Sequence, residues 1–374
     1  MGDVDLDTLF AQADGAFDRL TGGVVPPIQP STTFLRDPDY RPTSPNHLYS
    51  RDDDDLTRLA ERILAKSEGG VDALLLPSGM AAVAAVMRTV PNGGRIVMQS
   101  GIYWGTTKWA REFCERRAIA LAEVDASDSE ALRLAASEPA DVVWIETPSN
   151  PYLKTVDMRA AADIAHEAGA ALVVDSTAAT PVIQNPLRFG ADLVMHSATK
   201  GINGHSDVLA GVLVTAEDSE RWHAMRLDRH DAGVVLSPFA AWLLLRGMRT
   251  LPLRARTMSA NALAVAEAMA SHEKVHRVLY PGLSSDPGHN LASTQMNDGF
   301  GSLLSIRVRG GREAALRAAG RLSLFKRATS LGGVESLVEH RHSIEDTVPD
   351  DLLRLSCGIE TADALVGDLV AALG

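Results

Sequence analysis

This chain of 374 residues is poor in the residues that cross-link, capture metals or grip nucleic acid. It holds 2 Cys, and Cys114 and Cys357 have no CxxC companion. That excludes a disulfide-stapled scaffold, disfavours a cysteine-based zinc site and points to a reducing compartment. Lys and Arg number 36 against 48 Asp and Glu, a formal net charge of −12, and no dense basic run occurs. Counterion release from nucleic acid needs clustered cations, so nucleic acid is excluded as the main partner. The longest apolar stretch, 234–245, is broken by Ser237 and Pro238 and is too short for a bilayer. The opening MGDVDLDTLF has neither a basic start nor an apolar run after it, so no secretion signal is expected. Also missing are a G-x-G-x-x-G after the first strand and a complete G-x-S-x-G, since GHSDV lacks the last Gly. These gaps argue against a nicotinamide enzyme and a serine hydrolase. The expectation is a globular, cytoplasmic protein with no membrane or nucleic-acid partner and no metal.

What is present separates into three zones. Residues 1–50 are rich in Pro, Thr and Asp (VVPPIQPSTTF, DPDYRPTSPNH) and predict an extended arm. Residues 51–235 alternate short apolar runs with Ala-rich amphipathic stretches. The runs lie at 73–76, 95–98, 121–124, 142–145, 172–174, 193–195 and 212–214, and a helical pattern over 158–168 stops at Gly169. Such alternation predicts an α/β domain with a mostly parallel, seven-stranded sheet covered by helices on both faces. Residues 236–374 begin with helical patterns (240–246, 259–271) and continue into alternating strands such as 303–308, which predicts a smaller C-terminal α+β domain.

Ligands in an open parallel sheet sit outside the carboxyl ends of the strands. Polar and glycine residues gather there: PSGM at 77–80, GIY at 101–103, ETPSN at 146–150, DST at 175–177 and HSATK at 196–200. Taken singly, a strand-end Asp is often a helix cap and a lone Tyr is often core. As a set they match what pyridoxal phosphate requires. Lys200 is an amine able to condense with an aldehyde. Asp175 ends the apolar run ALVVD, where an unpaired carboxylate is costly and a protonated pyridine nitrogen would pair it. Tyr103 can stack on the ring. Ser78, Gly79, Met80, Ser197 and Thr199 can hold the phosphate through hydroxyls and the N–H groups opening the next helix. Arg354, between apolar residues in LLRLSCGIE, suits a substrate carboxylate.

The segments DLVMHSATKGINGHSDVLAG, ETPSNP, SLGGVESL and LLRLSCGIE resemble those of the Cys/Met-metabolism family of pyridoxal-phosphate enzymes, the transsulfuration group. The likeness runs from about residue 25 to the C-terminus. It implies the aspartate aminotransferase-like pyridoxal-phosphate transferase fold (fold type I). It further implies that Lys200 carries the cofactor and moves protons, that Asp175 faces the pyridine nitrogen and that Tyr103 stacks on the ring. Gly79, Met80, Ser197 and Thr199 would bind phosphate, and Asn150, Ser330 and Arg354 the substrate carboxylate. Tyr49 and Arg51, in YSR after the arm, would reach the phosphate of a neighbouring subunit, making a dimer obligatory and a homotetramer of two such dimers the expected assembly. The implied reaction is γ-replacement on an activated homoserine by a thiol such as cysteine, of the cystathionine γ-synthase type. The alternative is a carbon–sulfur lyase acting by γ- or β-elimination on cystathionine or a related amino acid.

Several positions depart from the family pattern. Asp52–Asp55 open a helix where the family continues toward Asn-Pro-Thr, which suits the helix's positive end better than a metal. Trp104 replaces a Gly beside Tyr103, which would narrow the pocket. Lys108 stands where a distal-carboxylate Arg is common, keeping the charge and losing the fork. Thr329 replaces a Glu, Ser176 and Ala178 replace an Asn and an aromatic, and Glu339-His340-Arg341-His342 replaces a stretch ending His-Pro-Ala, adding a cation near the pocket mouth. His340 and His342 are expected to make structural hydrogen bonds, while Lys108 and Arg341 favour a substrate tail that carries a carboxylate.

Overall fold

The computed structural model describes residues 5–44 and 48–374. Each of the seven apolar runs becomes a strand: β1 (Asp72–Leu76), β2 (Arg95–Gln99), β3 (Ala120–Val124), β4 (Val142–Glu146), β5 (Ala171–Asp175), β6 (Leu193–His196) and β7 (Gly211–Thr215). They form one sheet in the order β1-β7-β6-β5-β4-β2-β3. Only β7 runs against its neighbours β1 and β6; the other pairs are parallel. Every residue of β4 is buried and β5 is buried beyond its first residue, which is why these strands read as unbroken apolar runs rather than alternating ones. Apolar side chains of the two sheet faces enter separate core clusters, Leu75 and Val194 on one side, Leu74 and Val173 on the other.

The second sheet contains β8 (Val275–Leu279), β9 (Leu303–Val308), β10 (Lys326–Arg327), β11 (Leu337–His340) and β12 (Leu352–Ser356) in the order β10-β11-β12-β9-β8. All its pairs are antiparallel except β10 with β11. Its register sets Glu339 directly opposite Arg354, which places opposite charges on one face of neighbouring strands.

The N-terminal zone is not extended throughout. Helix α1 (Leu6–Ala11) is capped by Asp5, and Leu9, Phe10 and Ala13 are buried in the same cluster as Leu56, Leu59 and Ile63 of helix α2 (Asp55–Glu68). The apolar side chains at the head of the arm drive this docking, because alone they would face water. Beyond it the chain is irregular, tied down by a 3.1 Å bond from Trp242 Nε1 to the Pro26 carbonyl. The aspartate run does open a helix: Asp54 is the N-cap of α2 and accepts from Thr57 N, while Asp53 pairs with Arg58. Among the described residues no cluster of His, Cys, Asp or Glu could hold a metal ion, and no helix is long and apolar enough to cross a membrane.

Phe10 is 1% exposed, so Phe10→Ala should lower unfolding stability by about 3 kcal/mol, read from denaturant or thermal midpoints. The exposed Leu20→Ala should leave them unmoved. Equal midpoints for the two variants would show that α1 does not dock in solution.

Candidate active site

The polar exits of β1, β4, β5 and β6 and the loops before β7 and β11 enclose one cavity of about 210 Å³. Its wall brings together most of the residues singled out from the sequence: Ser78, Gly79, Met80, Tyr103, Asn150, Asp175, Ser197, Thr199, Lys200, Ser330 and Arg354. It also includes Arg341, expected from the sequence as a cation near the pocket, and Glu146, Thr177 and Thr329, to which no site role was given beforehand.

Lys200 follows β6 and is half-buried, with Nζ donating to Ser330 Oγ at 2.9 Å. Burial, then the nearby Arg354 charge, pull its pKa below that of an ordinary lysine, with Glu339 opposing. The amine is therefore more readily neutral, as a nucleophile or base must be. Ser330 sits at φ 127°, a region costly for a residue with a Cβ. The Arg354 Nη2 bond to its carbonyl (2.8 Å) and the Lys200 bond to its hydroxyl hold it there.

Arg354 is the hinge of the other wall. It is 4% exposed, and burial pulls its pKa down to about 10, so it stays a cation at neutral pH. Nη1 donates to Asn150 Oδ1 at 3.2 Å, and Nη2 pairs with Glu339 at 2.9 Å as the strand register requires. Arg354 on the small sheet is thereby tied to Asn150 at an exit of the large one.

Asp175 ends β5 with both Thr177 bonds on Oδ1, from N at 3.0 Å and from Oγ1 at 2.5 Å. This leaves Oδ2 for a further partner. Thr177 Oγ1 also accepts Ser197 N at 2.8 Å, so it joins two strand exits. A Thr two residues after a strand-end Asp is a turn signal that could have identified it. Glu146, opposite Asp175 in the parallel register, accepts Tyr103 N at 3.0 Å and Asn150 N at 2.6 Å. Burial pushes both carboxyls up, and the Asp175 charge pushes Glu146 further. Only the strand pairing shows this coupling; the sequence had no sign of it.

The segment expected to cradle the phosphate is a helix start. Helix α3 (Gly79–Arg88) follows β1, and its first-turn N–H groups have no partner within the helix. Ser78 caps the helix, its Oγ accepting Ala81 N at 3.1 Å, which leaves the hydroxyl proton available for donation. Thr199 Oγ1 likewise bonds the Ala210 carbonyl and N–H. A Cβ on Gly79 would stand 2.8 Å from Ser197, and one on Gly211 only 2.2 Å from the Ser78 carbonyl. Glycine is needed at both for the strands to approach the cradle this closely. Tyr103 is positioned similarly, since a Cβ on Gly105 would meet its ring at 2.6 Å.

Three predicted site residues lie off the cavity wall. Lys108 is exposed, its ammonium 5.9 Å from the Trp104 ring centre, and does not line this chain's own cavity. Trp104 tilts against Tyr103 at 6.1 Å rather than narrowing the cavity. Tyr49 is 43% exposed beside Arg51, and neither lines this chain's own site. His340 bonds Ser343 Oγ and the Asp350 carbonyl, and His342 the Val348 carbonyl, which is the structural bonding expected. Arg341 is 1% exposed, within the wall rather than at its mouth.

A neutral-leaning lysine, a buried acid with one oxygen uncommitted, a helix N-terminus and an exposed tyrosine ring at the rim fit pyridoxal phosphate group by group. Gly211→Ala should displace the Ser78–Gly79 backbone and weaken cofactor retention about tenfold, measured by dialysis and cofactor absorbance. Full retention would remove the cradle from α3.

Known proteins resemble this chain over nearly its whole length. The chain is 41% identical to the cystathionine γ-synthase of Mycobacterium bovis over 366 residues, 96% of this chain and 94% of that one. It is 37% identical to the cystathionine γ-lyase of Dictyostelium discoideum, covering 98% and 97%. Among solved structures, cystathionine γ-synthase from Xanthomonas oryzae pv. oryzae, in complex with aminoacrylate and cysteine, superposes with a TM-score of 0.94 at 37% identity, covering 99% and 98%. A fold type I architecture with pyridoxal phosphate as cofactor follows. The family model for the Cys/Met metabolism PLP-dependent enzymes matches residues 7–374, and the chain belongs to that family.

Proposed function

We propose that this enzyme catalyses γ-replacement, joining an activated homoserine to a thiol such as cysteine. The observation that carries this is the Lys200 amine, held 2.9 Å from Ser330 Oγ in the cavity that Arg354 and Asp175 also line. Pyridoxal phosphate, when bound, supplies the electron sink for charge released at the substrate Cα. The protein does the rest. Asp175, kept as an acceptor by Thr177, would hold the pyridine N–H. The N–H groups of Gly79 and Met80, with Ser197 and Thr199, would hold the phosphate, and Tyr103 would cover the ring. Arg354, Asn150 and Ser330 orient the α-carboxylate. Lys200 Nζ, more readily neutral because it is buried beside Arg354, would take the Cα proton, release it again, and only then take one from Cβ. Loss of the Cβ proton lets the carboxylate leaving group depart from Cγ; the thiol sulfur, giving up its proton, bonds at Cγ, and one proton returns to each of Cβ and Cα.

A second reading, γ- or β-elimination by a carbon–sulfur lyase, draws support from Thr329, which lines the cavity where a Glu was expected, and from the γ-lyase among the relatives. Thr106, on the same wall, stands where methionine γ-lyases usually carry Cys and disfavours that member. Small-molecule amino acids are the partners. A homotetramer of dimers that share sites fits the exposed apolar arm, with Leu20, Leu35 and Tyr40 each at least 80% accessible and Tyr49 and Arg51 available to a neighbour. Two buried unpaired cysteines suit the cytoplasm.

Stopped-flow spectra with O-succinyl-homoserine should show a cofactor-band change, and added cysteine should yield a thioether amino acid without ammonia. Release of ammonia and a keto acid in the presence of cysteine would favour the lyase reading. Lys200→Ala should still bind cofactor but lose the absorbance near about 420 nm and about 10³-fold or more of the turnover.

A further inference from the structure

A second cavity, of about 430 Å³, lies between the loop after β4 and the small sheet, and it shares no lining residue with the catalytic one. Its floor is apolar: Leu153, Leu279 and Leu352 are buried in one cluster, and Leu291 lies beside them on the wall. Its charges are only partly matched. Arg307 bonds Asp351 through Nε, and Lys154 pairs with Asp125. That leaves Arg277 and Asp286 on the wall, and neither has an ion-pair partner among the described residues. Asp286 accepts Gly288 N on Oδ1 at 2.8 Å, so Oδ2 stays uncommitted. Thr155, on the same wall, is 6% exposed, and its Oγ1 is buried with no hydrogen-bond partner. A Cβ on Gly288 would stand 3.0 Å from that oxygen and 3.3 Å from Asp286 Oδ1, so hydroxyl and carboxylate border the same space.

One cation, one anion, an unbonded buried hydroxyl and an apolar floor have a definite complement: a small molecule with an anionic end, a cationic end and a hydrocarbon body. Its carboxylate would take the Arg277 fork, its ammonium Asp286 Oδ2, and its body would cover the leucines and release water from them. The Thr155 hydroxyl, costly while unbonded, would gain a partner from either polar end. We propose that this cavity is a second binding site, separate from the catalytic centre, for an α-amino acid with an apolar side chain. Such a site is independent of whether the catalytic centre performs replacement or elimination.

Equilibrium dialysis of radiolabelled L-leucine against borohydride-reduced holoenzyme tests this, because a reduced cofactor no longer exchanges onto an incoming amine. The expected result is about one equivalent bound per chain, with affinity about tenfold lower in Arg277→Met. Arg277 is exposed, so that variant should keep the unfolding midpoint and the turnover of the unreduced enzyme. Leucine should also bind more tightly than 4-methylpentanoate, which has the same skeleton without the amine. Asp286→Asn, which keeps an acceptor for Gly288 N, should erase that difference. No binding to the reduced holoenzyme, or binding unchanged in Arg277→Met, would overturn the proposal. Equal affinity for the two ligands in the unaltered chain would overturn the amino-acid assignment. Should Arg277→Met fail to fold, Leu291→Trp fills the cavity from its apolar side and should abolish binding; leucine still bound there would place it elsewhere and sink the idea.

Discussion

The site depends on a cation kept almost entirely out of water. Arg354 lies in the middle of β12, and its burial is tolerable because the antiparallel register sets Glu339 opposite it. From that pair the geometry spreads. Arg354 draws in Asn150 from the exit of β4 and the carbonyl of Ser330, and Ser330 in turn receives the amine of Lys200 from the exit of β6. One ion pair in the small sheet thus orients groups delivered by the large one. The positive charge it maintains also keeps the lysine closer to its neutral form.

A complementary device lies beneath the cofactor's place. Glu146 and Asp175 are neighbours on adjacent parallel strands, both deeply buried. Two carboxylates that close do not both ionise readily in a poorly solvated site. Their partners divide the work. Glu146 accepts the backbone N–H groups of Tyr103 and Asn150 and so positions these two residues. Asp175 has both protein bonds on one oxygen, leaving the other for a cation. The acid that faces cofactor and the acid that positions its neighbours are chemically alike; surroundings alone distinguish them.

The departures from the family pattern sort by depth. At the surface, Trp104 and Lys108 pack against each other and leave the cavity unaltered. The aspartate run is absorbed into the cap of α2 and pairs with Arg58 and His230. Only the segment of β11 and the turn after it changes the cavity's charge, because Arg341 is buried there and shares Glu339 with Arg354.

Legible in the sequence alone were the seven strands, the glycine-rich helix start and the lysine, acid and tyrosine at strand exits. These signals are local: apolar run length, turn chemistry and capping operate within a few residues. The docking of α1 was missed because Leu9 and Phe10 find their partners in α2, some fifty residues away, beyond any periodic pattern. The placing of Lys108 off this chain's cavity, the pairing of Glu146 with Asp175 and the sharing of Glu339 by two arginines were likewise decided by tertiary structure. Each depends on strand register or on contact between segments distant in the chain, and a charge acquires its role only when folding determines how much water and which opposite charge remain beside it.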